Sequence, residues 1–216
     1  MKSEAVKHYL EQSVAMVEAT MAGMSLPKGW QYVNAQDFVL DRGQDQPENK
    51  QITPEQYAYL TTRNVGKDGF EPKQCFYNAQ RLILADYEGR FEYWEGYAHT
   101  GVIPVLHAWI VFEGSLVDVT RSVRPEATDE FFEGKKAMPC LTDRVLGLVP
   151  KHWRYYGVKF DSDYVREVVL NNCKTMSLID CPDESWPVLR WDRLKPRGFC
   201  VEAHKARMEK IREWTH

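Results

Sequence analysis

The sequence predicts an α+β fold: a cysteine-bearing helix packed on an antiparallel sheet, with extra helices toward both chain ends. Three observations predict it. Apolar residues recur at three- and four-residue steps over 4–22 and again over 75–85. From 90 to 120 the chain is rich in Val, Ile, Tyr, Phe and Trp, the composition of strands. Gly114 lies between two of these runs, where a hairpin would reverse.

A chain of 216 residues can bury a substantial core. Its 44% hydrophobic and 27% charged residues are ordinary for a globular protein. A net charge of −3 gives no reason to expect a nucleic-acid partner. No run of about 18 apolar residues is present, so no membrane span is expected. Glu4, Glu11 and Glu18 interrupt the first apolar pattern and argue against a signal peptide. The five cysteines, at 75, 140, 173, 181 and 200, contain no C-x-x-C pair. Neither a disulfide framework nor a structural metal site is therefore expected, no cofactor is implied, and a reducing, cytoplasmic setting is.

In the first helix Val6, Tyr9, Leu10, Val14, Val17 and Met21 form one stripe, and Lys2, Lys7, Glu11 and Glu18 face water. Leu26-Pro27-Lys28-Gly29 ends it. A short strand is expected at Asp37–Leu40 and a polar loop over 41–51. Thr53-Pro54-Glu55-Gln56 opens a helix running to about Thr61, with Thr at the N-cap, Pro at N1 and Gln as capping-box partner. A second loop, holding Gly66 and Gly69, leads to Pro72. Proline disfavours helix in the residue before it, so the next helix starts near Lys73 or Gln74 and runs to about Ala85. Strands follow at Arg90–His99, Val105–Phe112 and Leu116–Thr120.

Beyond Arg121 short helices are expected at Thr128–Phe132 and Thr142–Leu148, and a longer one at Asp161–Asn172, capped by Asp161 or Ser162. Ser185–Pro196 reads as irregular and Val201–Trp214 as a last helix, in a basic tail with eight Lys/Arg against four Asp/Glu over 186–216. No sharp boundary divides the chain, so residues 1–216 are expected to form one domain. It would comprise an N-terminal helix (4–22), a catalytic-like core (about 53–122) and a helical extension (about 123–216).

Cys75, His107 and Asp118 are the residue types of a thiol nucleophile, its general base and the carboxylate that orients the base. A thiol titrates near 8.5 when free, and roughly 3.5–7.5 at a helix N-terminus or beside an imidazolium. The N–H groups of a first helical turn, that of Cys75 included, suit a developing oxyanion. A reversal centred on Glu113-Gly114 sets Phe112 opposite Ser115 and makes Asp118 a diagonal neighbour of His107, roughly 7–8 Å away at the backbone. A longer loop would set the two directly opposite; a register slipped the other way would separate them. In all three, strand alternation keeps them on one face.

Cys75, Gly96-Tyr97, His107-Ala108-Trp109 and Asp118-Val119-Thr120 resemble the transglutaminase-like branch of the papain-like cysteine enzymes. The likeness covers about 45 residues, and the stretch is also similar to small bacterial and bacteriophage proteins of undefined activity. The resemblance implies a papain-like core, with Cys75 as nucleophile, His107 as base and acid, and Asp118 as orienter. It implies a thiol hydrolase or acyl transferase acting on an amide bond of a protein or peptide: a peptidase, a deamidase or a transglutaminase-like enzyme. The segment before Cys75 lacks the Trp or spaced Gln that often supplies a second oxyanion donor in that family. Gln74, Asn78, Tyr59, Asn64 and Trp109 are the candidates for that donor or for substrate contacts. The alternative is a non-catalytic binding or modulator protein on the same fold, phage-encoded, using the first helix and the basic tail. Oligomeric state is left open.

Overall fold

A computed structural model describes residues 3–47, 53–63, 70–71, 73–120, 149, 152–172, 175–181 and 187–190. Its centre is a five-stranded antiparallel sheet, β1 (Gln44–Asp45), β2 (Phe91–His99), β3 (Pro104–Phe112), β4 (Ser115–Val117) and β5 (Arg154–Phe160). The order across it is β1-β5-β2-β3-β4. Helices α1 (Glu4–Thr20), α2 (Ala35–Arg42), α3 (Pro54–Thr62), α4 (Cys75–Ala85) and α5 (Ser162–Asn172) complete the α+β architecture.

The β3–β4 turn has the register that a Glu113-Gly114 reversal requires, with Phe112 opposite Ser115. Both central residues have positive φ, 49° at Glu113 and 76° at Gly114, the tight hairpin turn that matches strand twist. Non-glycine residues rarely adopt this conformation. Glu113 is held in it by hydrogen bonds from Gln56 and Arg90.

Strand alternation splits the apolar residues between two faces. One carries Phe91, Tyr93, Tyr97, Ile110, Phe112, Tyr156 and Phe160 against Ala79, Leu82 and Ile83 of α4 and Val6 and Leu10 of α1. Fully burying Leu82 or Ile83 is worth about 1.5–3 kcal/mol each, which fixes α4 on this face. The other face carries a smaller cluster: Trp94, Ala98, Trp109, Val111, Leu116 and Tyr155.

Several local expectations hold. Thr53 and Gln56 form a reciprocal capping box, Gln56 N–H donating to Thr53 Oγ1 at 3.1 Å and Thr53 N–H to Gln56 Oε1 at 3.0 Å. Asp161 caps α5 by accepting from the N–H groups of Asp163 and Tyr164. Others need correction. Asp37–Leu40 is helix, not strand: Asn34 caps α2 by accepting from Asp37 N–H at 2.8 Å, and Asp37 accepts from Val33 N–H at 3.0 Å. This local hydrogen bonding decides a segment whose short apolar run fits either state.

The segment beyond 123 is not wholly helical. Arg-Tyr-Tyr-Gly-Val-Lys-Phe, aromatic and short, forms β5, which pairs with β2 from Phe160 opposite Tyr93 to Arg154 opposite His99. The expected loop 41–51 contributes β1, whose Gln44 and Asp45 pair with Gly157 and Tyr156. The helices expected at 128–132, 142–148 and 201–214 lie outside the described residues, as does most of 185–196. Among the described residues no helix is long and apolar enough to cross a membrane.

Candidate active site

Cys75 is the first residue of α4, after Gln74 at the N-cap. The N–H groups of this first turn have no carbonyl four residues back within the helix, so they face outward as donors. The segment ahead of it is tied to the helix by Asn78, which accepts from Glu71 N–H at 2.9 Å and donates to Glu71 O at 2.7 Å. Asn78 also donates to Thr120 Oγ1 at 2.9 Å. That bond joins the first turn of α4 to the chain just beyond β4.

His107 sits in β3 opposite Gly96 and shares its sheet face with Trp109. Its Nε2 lies 2.7 Å from Asp118 Oδ2, and the two side chains are 2% and 0% exposed. This is the diagonal same-face contact that the Phe112–Ser115 register allows. Asp118 has further partners: Tyr155 donates its hydroxyl to Oδ2 at 2.7 Å, and Thr120 N–H donates to Oδ1 at 2.9 Å. With Nε2 committed to Asp118, Nδ1 is the ring nitrogen left for the Cys75 sulfur.

α4 packs on the face opposite His107, yet the Cys75 sulfur is near enough to the imidazole to favour its protonated form. The two meet at the end of the sheet. β4 stops at Val117, opposite Ile110, leaving the β3 edge beside His107 without a strand partner among the described residues. The first turn of α4 closes there, through Asn78 and Thr120.

Burial alone pulls the His107 imidazole down. The Asp118 carboxylate, by charge and by hydrogen bond, and then the Cys75 sulfur outweigh it and push the group up to about 9. The protonated ring is thus favoured across neutral pH.

Trp109 is 0% exposed and packs behind His107, which corrects it as an oxyanion donor or substrate contact. Its ring lies nearly parallel to that of His107, centroids 6.4 Å apart, and edge-on to Tyr155 at 5.2 Å. Its Nε1–H donates to Gln46 Oε1 at 3.0 Å. A Cβ on Gly157 would fall 2.6 Å from Trp109 Cη2, so the indole lies across a strand that has no side chain there.

The remaining candidates divide. Gln74 is exposed beside Cys75, and its side chain makes no capping bond to the helix. Asn78 is corrected as an oxyanion donor: its amide is spent on Glu71 and Thr120. Tyr59 is corrected too. It donates to Asp86 at 2.8 Å and packs on Phe91 and Phe112 at the hairpin end of the sheet. Phe112 is five residues from His107, roughly 17 Å along the strand. Asn64 lies outside the described residues.

Sequence reasoning missed Tyr155 and Gln46. Tyr155 lies in a strand that was not expected, and Gln46 in a segment without periodicity. Among the described residues, no group of three or more His, Cys, Asp or Glu side chains is arranged to hold a metal ion. In comparison with known proteins, the chain matches no protein-family model, no curated protein and no solved structure.

Proposed function

We propose that the chain is a thiol hydrolase or acyl transferase acting on an amide bond, built on a papain-like, transglutaminase-like core. The observation that carries this reading is the buried His107–Asp118 pair, 2.7 Å apart, with the Cys75 sulfur beside the imidazole at a helix N-terminus.

In the proposed reaction the Cys75 proton rests on His107 Nδ1 while the sulfur attacks the carbonyl carbon. The carbonyl oxygen becomes an oxyanion facing the Cys75 N–H. Collapse of this intermediate breaks the C–N bond, and the imidazolium gives its proton to the leaving nitrogen. The resulting thioester is attacked by water or an amine, with His107 as base, and the thiol returns. Hydrolysis or deamidation of a protein or peptide is favoured over transfer in this reading. Cys75 is 8% exposed, so the acyl group would approach along a narrow path.

Alkylation tests the reading. Below pH 8, iodoacetamide should label Cys75 faster than the other four cysteines, and His107→Ala should slow Cys75 labelling at least tenfold. Uniform slow labelling, indifferent to His107→Ala, would refute it and leave the fold as a binding scaffold.

A further inference from the structure

The Asp118 carboxylate is fully buried and, among the described residues, accepts from His107 Nε2 and the Tyr155 hydroxyl on Oδ2 and from Thr120 N–H on Oδ1. A triad needs only the first. The second comes from two strands away, because β2 lies between β3 and β5. The intervening surface has small residues where the phenol crosses: Gly96 stands opposite His107, and Ala98 stands opposite Tyr155.

The Tyr155 main chain is also anchored. Its carbonyl accepts from Ser3 Oγ at 3.1 Å and from Gln46 N–H at 3.3 Å. The ring is pinned edge-on to Trp109 and is 2% exposed. An aromatic ring that only filled this face could have ended in hydrogen, since Trp94, Trp109 and Leu116 already make the cluster apolar. Instead it ends in a hydroxyl aimed at the oxygen that binds His107.

We infer that Tyr155 is a positioning residue for the proposed thiol chemistry: its hydroxyl holds Asp118 charged and oriented so that Asp118 can hold His107. The inference rests on the reading of Cys75, His107 and Asp118 as a working set. A carboxylate buried with a donor removed keeps its charge less well, and a hydrogen bond to a charged group is among the stronger ones. Among the described residues, the titratable groups facing this centre are His107 from β3, Tyr155 from β5 and, through His107, Cys75 from α4.

The experiment is the pH profile of Cys75 alkylation by iodoacetamide in the full chain, for the parent, Tyr155→Phe and Asp118→Asn. Tyr155→Phe keeps the ring and its contact with Trp109. The acid limb of the profile should move up by about one pH unit, roughly a tenfold slower rate at a fixed pH on that limb. In a second protein, 3-fluorotyrosine at position 155 makes the hydroxyl a stronger donor and should move the limb the other way. It also keeps the test intact if Tyr155→Phe folds poorly. A profile unchanged in both, with Asp118→Asn still slow, overturns the role of Tyr155 and leaves the proposed function standing. If Asp118→Asn too labels like the parent, both fall.

Discussion

At the scale of single residues, the site is surrounded by polar groups that have given up their hydrogen-bonding capacity to structure. Asn78 is the clearest case. It sits one turn into α4, almost within the candidate site, yet its side-chain bonds go to Glu71 and Thr120. Replacing it by Ala removes its bond to Thr120 Oγ1 and both bonds to Glu71, and so releases the segment leading to Cys75. A hydrogen bond contributes about 0.5–1.5 kcal/mol net, and losing the Asn78 bonds should cost about 1–3 kcal/mol in urea unfolding. Under conditions where the variant is folded, Cys75 labelling should stay within a few-fold of the parent rate. Loss of labelling with an unchanged urea midpoint would return Asn78 to the chemistry.

At the scale of elements, the legible parts were those whose signals are local. The Thr53–Gln56 capping box, the Asp161 cap, the helical spacing of α4 and the Glu113-Gly114 reversal each depend on residues within a few positions of one another. The same reversal made the His107–Asp118 pairing readable, because hairpin register follows from the turn. The unread parts have two causes: a local cap that outweighs apolar composition in α2, and a distant strand partner for β5. α2 carries the adjacent apolar residues Phe38, Val39 and Leu40, and its cap at Asn34 overrides their strand-like look. β5 is isolated in sequence from the strand it joins, so neither it nor Tyr155 could be placed by periodicity.

Two glycines separate turn chemistry from packing. Gly114 has φ 76° with nothing near its missing Cβ, so Gly114→Ala should cost only the left-handed conformation, about 1–2 kcal/mol. Gly157 would drive a Cβ into the Glu95 carbonyl oxygen and to 2.6 Å from the Trp109 ring, between strands that cannot part without losing the β2–β5 ladder. Gly157→Ala should therefore lose at least twice as much stability as Gly114→Ala, read from denaturant midpoints, and should also slow Cys75 labelling by displacing Trp109. Equal losses would mean that the indole does not depend on that bare strand.

At the scale of the whole molecule, the candidate site depends on parts of the chain that no 53–122 core contains. Ser3 and Gln46 hold the Tyr155 main chain, Gln46 holds Trp109, and β5 supplies the phenol. A second buried carboxylate closes the other side. Glu95 of β2 is 0% exposed and accepts from the Tyr93 and Ser177 hydroxyls and from the N–H groups of Leu178 and Ile179, stapling residues 177–179 to the sheet. Burial outweighs these four donors and raises Glu95 to about 7.

Among the described residues, Glu95 and His107 have the shifts that bear on stability between about pH 5 and pH 9, and the sign is the same for both. Glu95, raised from 4.5, binds its proton more tightly in the folded chain, so its contribution is complete below pH 4.5 and is lost as pH rises through about 7. His107, raised from 6.5, contributes fully below pH 6.5 and loses that contribution as pH rises through about 9. Glu113, lowered by its hydrogen bonds from Gln56 and Arg90, acts in the opposite sense, but it is exposed and screened by solvent. The melting temperature should therefore decline from about pH 5 to pH 9 in two overlapping steps. Glu95→Gln should flatten the lower step while lowering stability throughout, because an amide offers one acceptor oxygen to four donors. Asp118→Asn should flatten the upper step, since it removes the charge that raises His107. A melting temperature that rises across this range, or an upper step that survives Asp118→Asn, would show that the His107–Asp118 pair does not hold its proton in the folded chain.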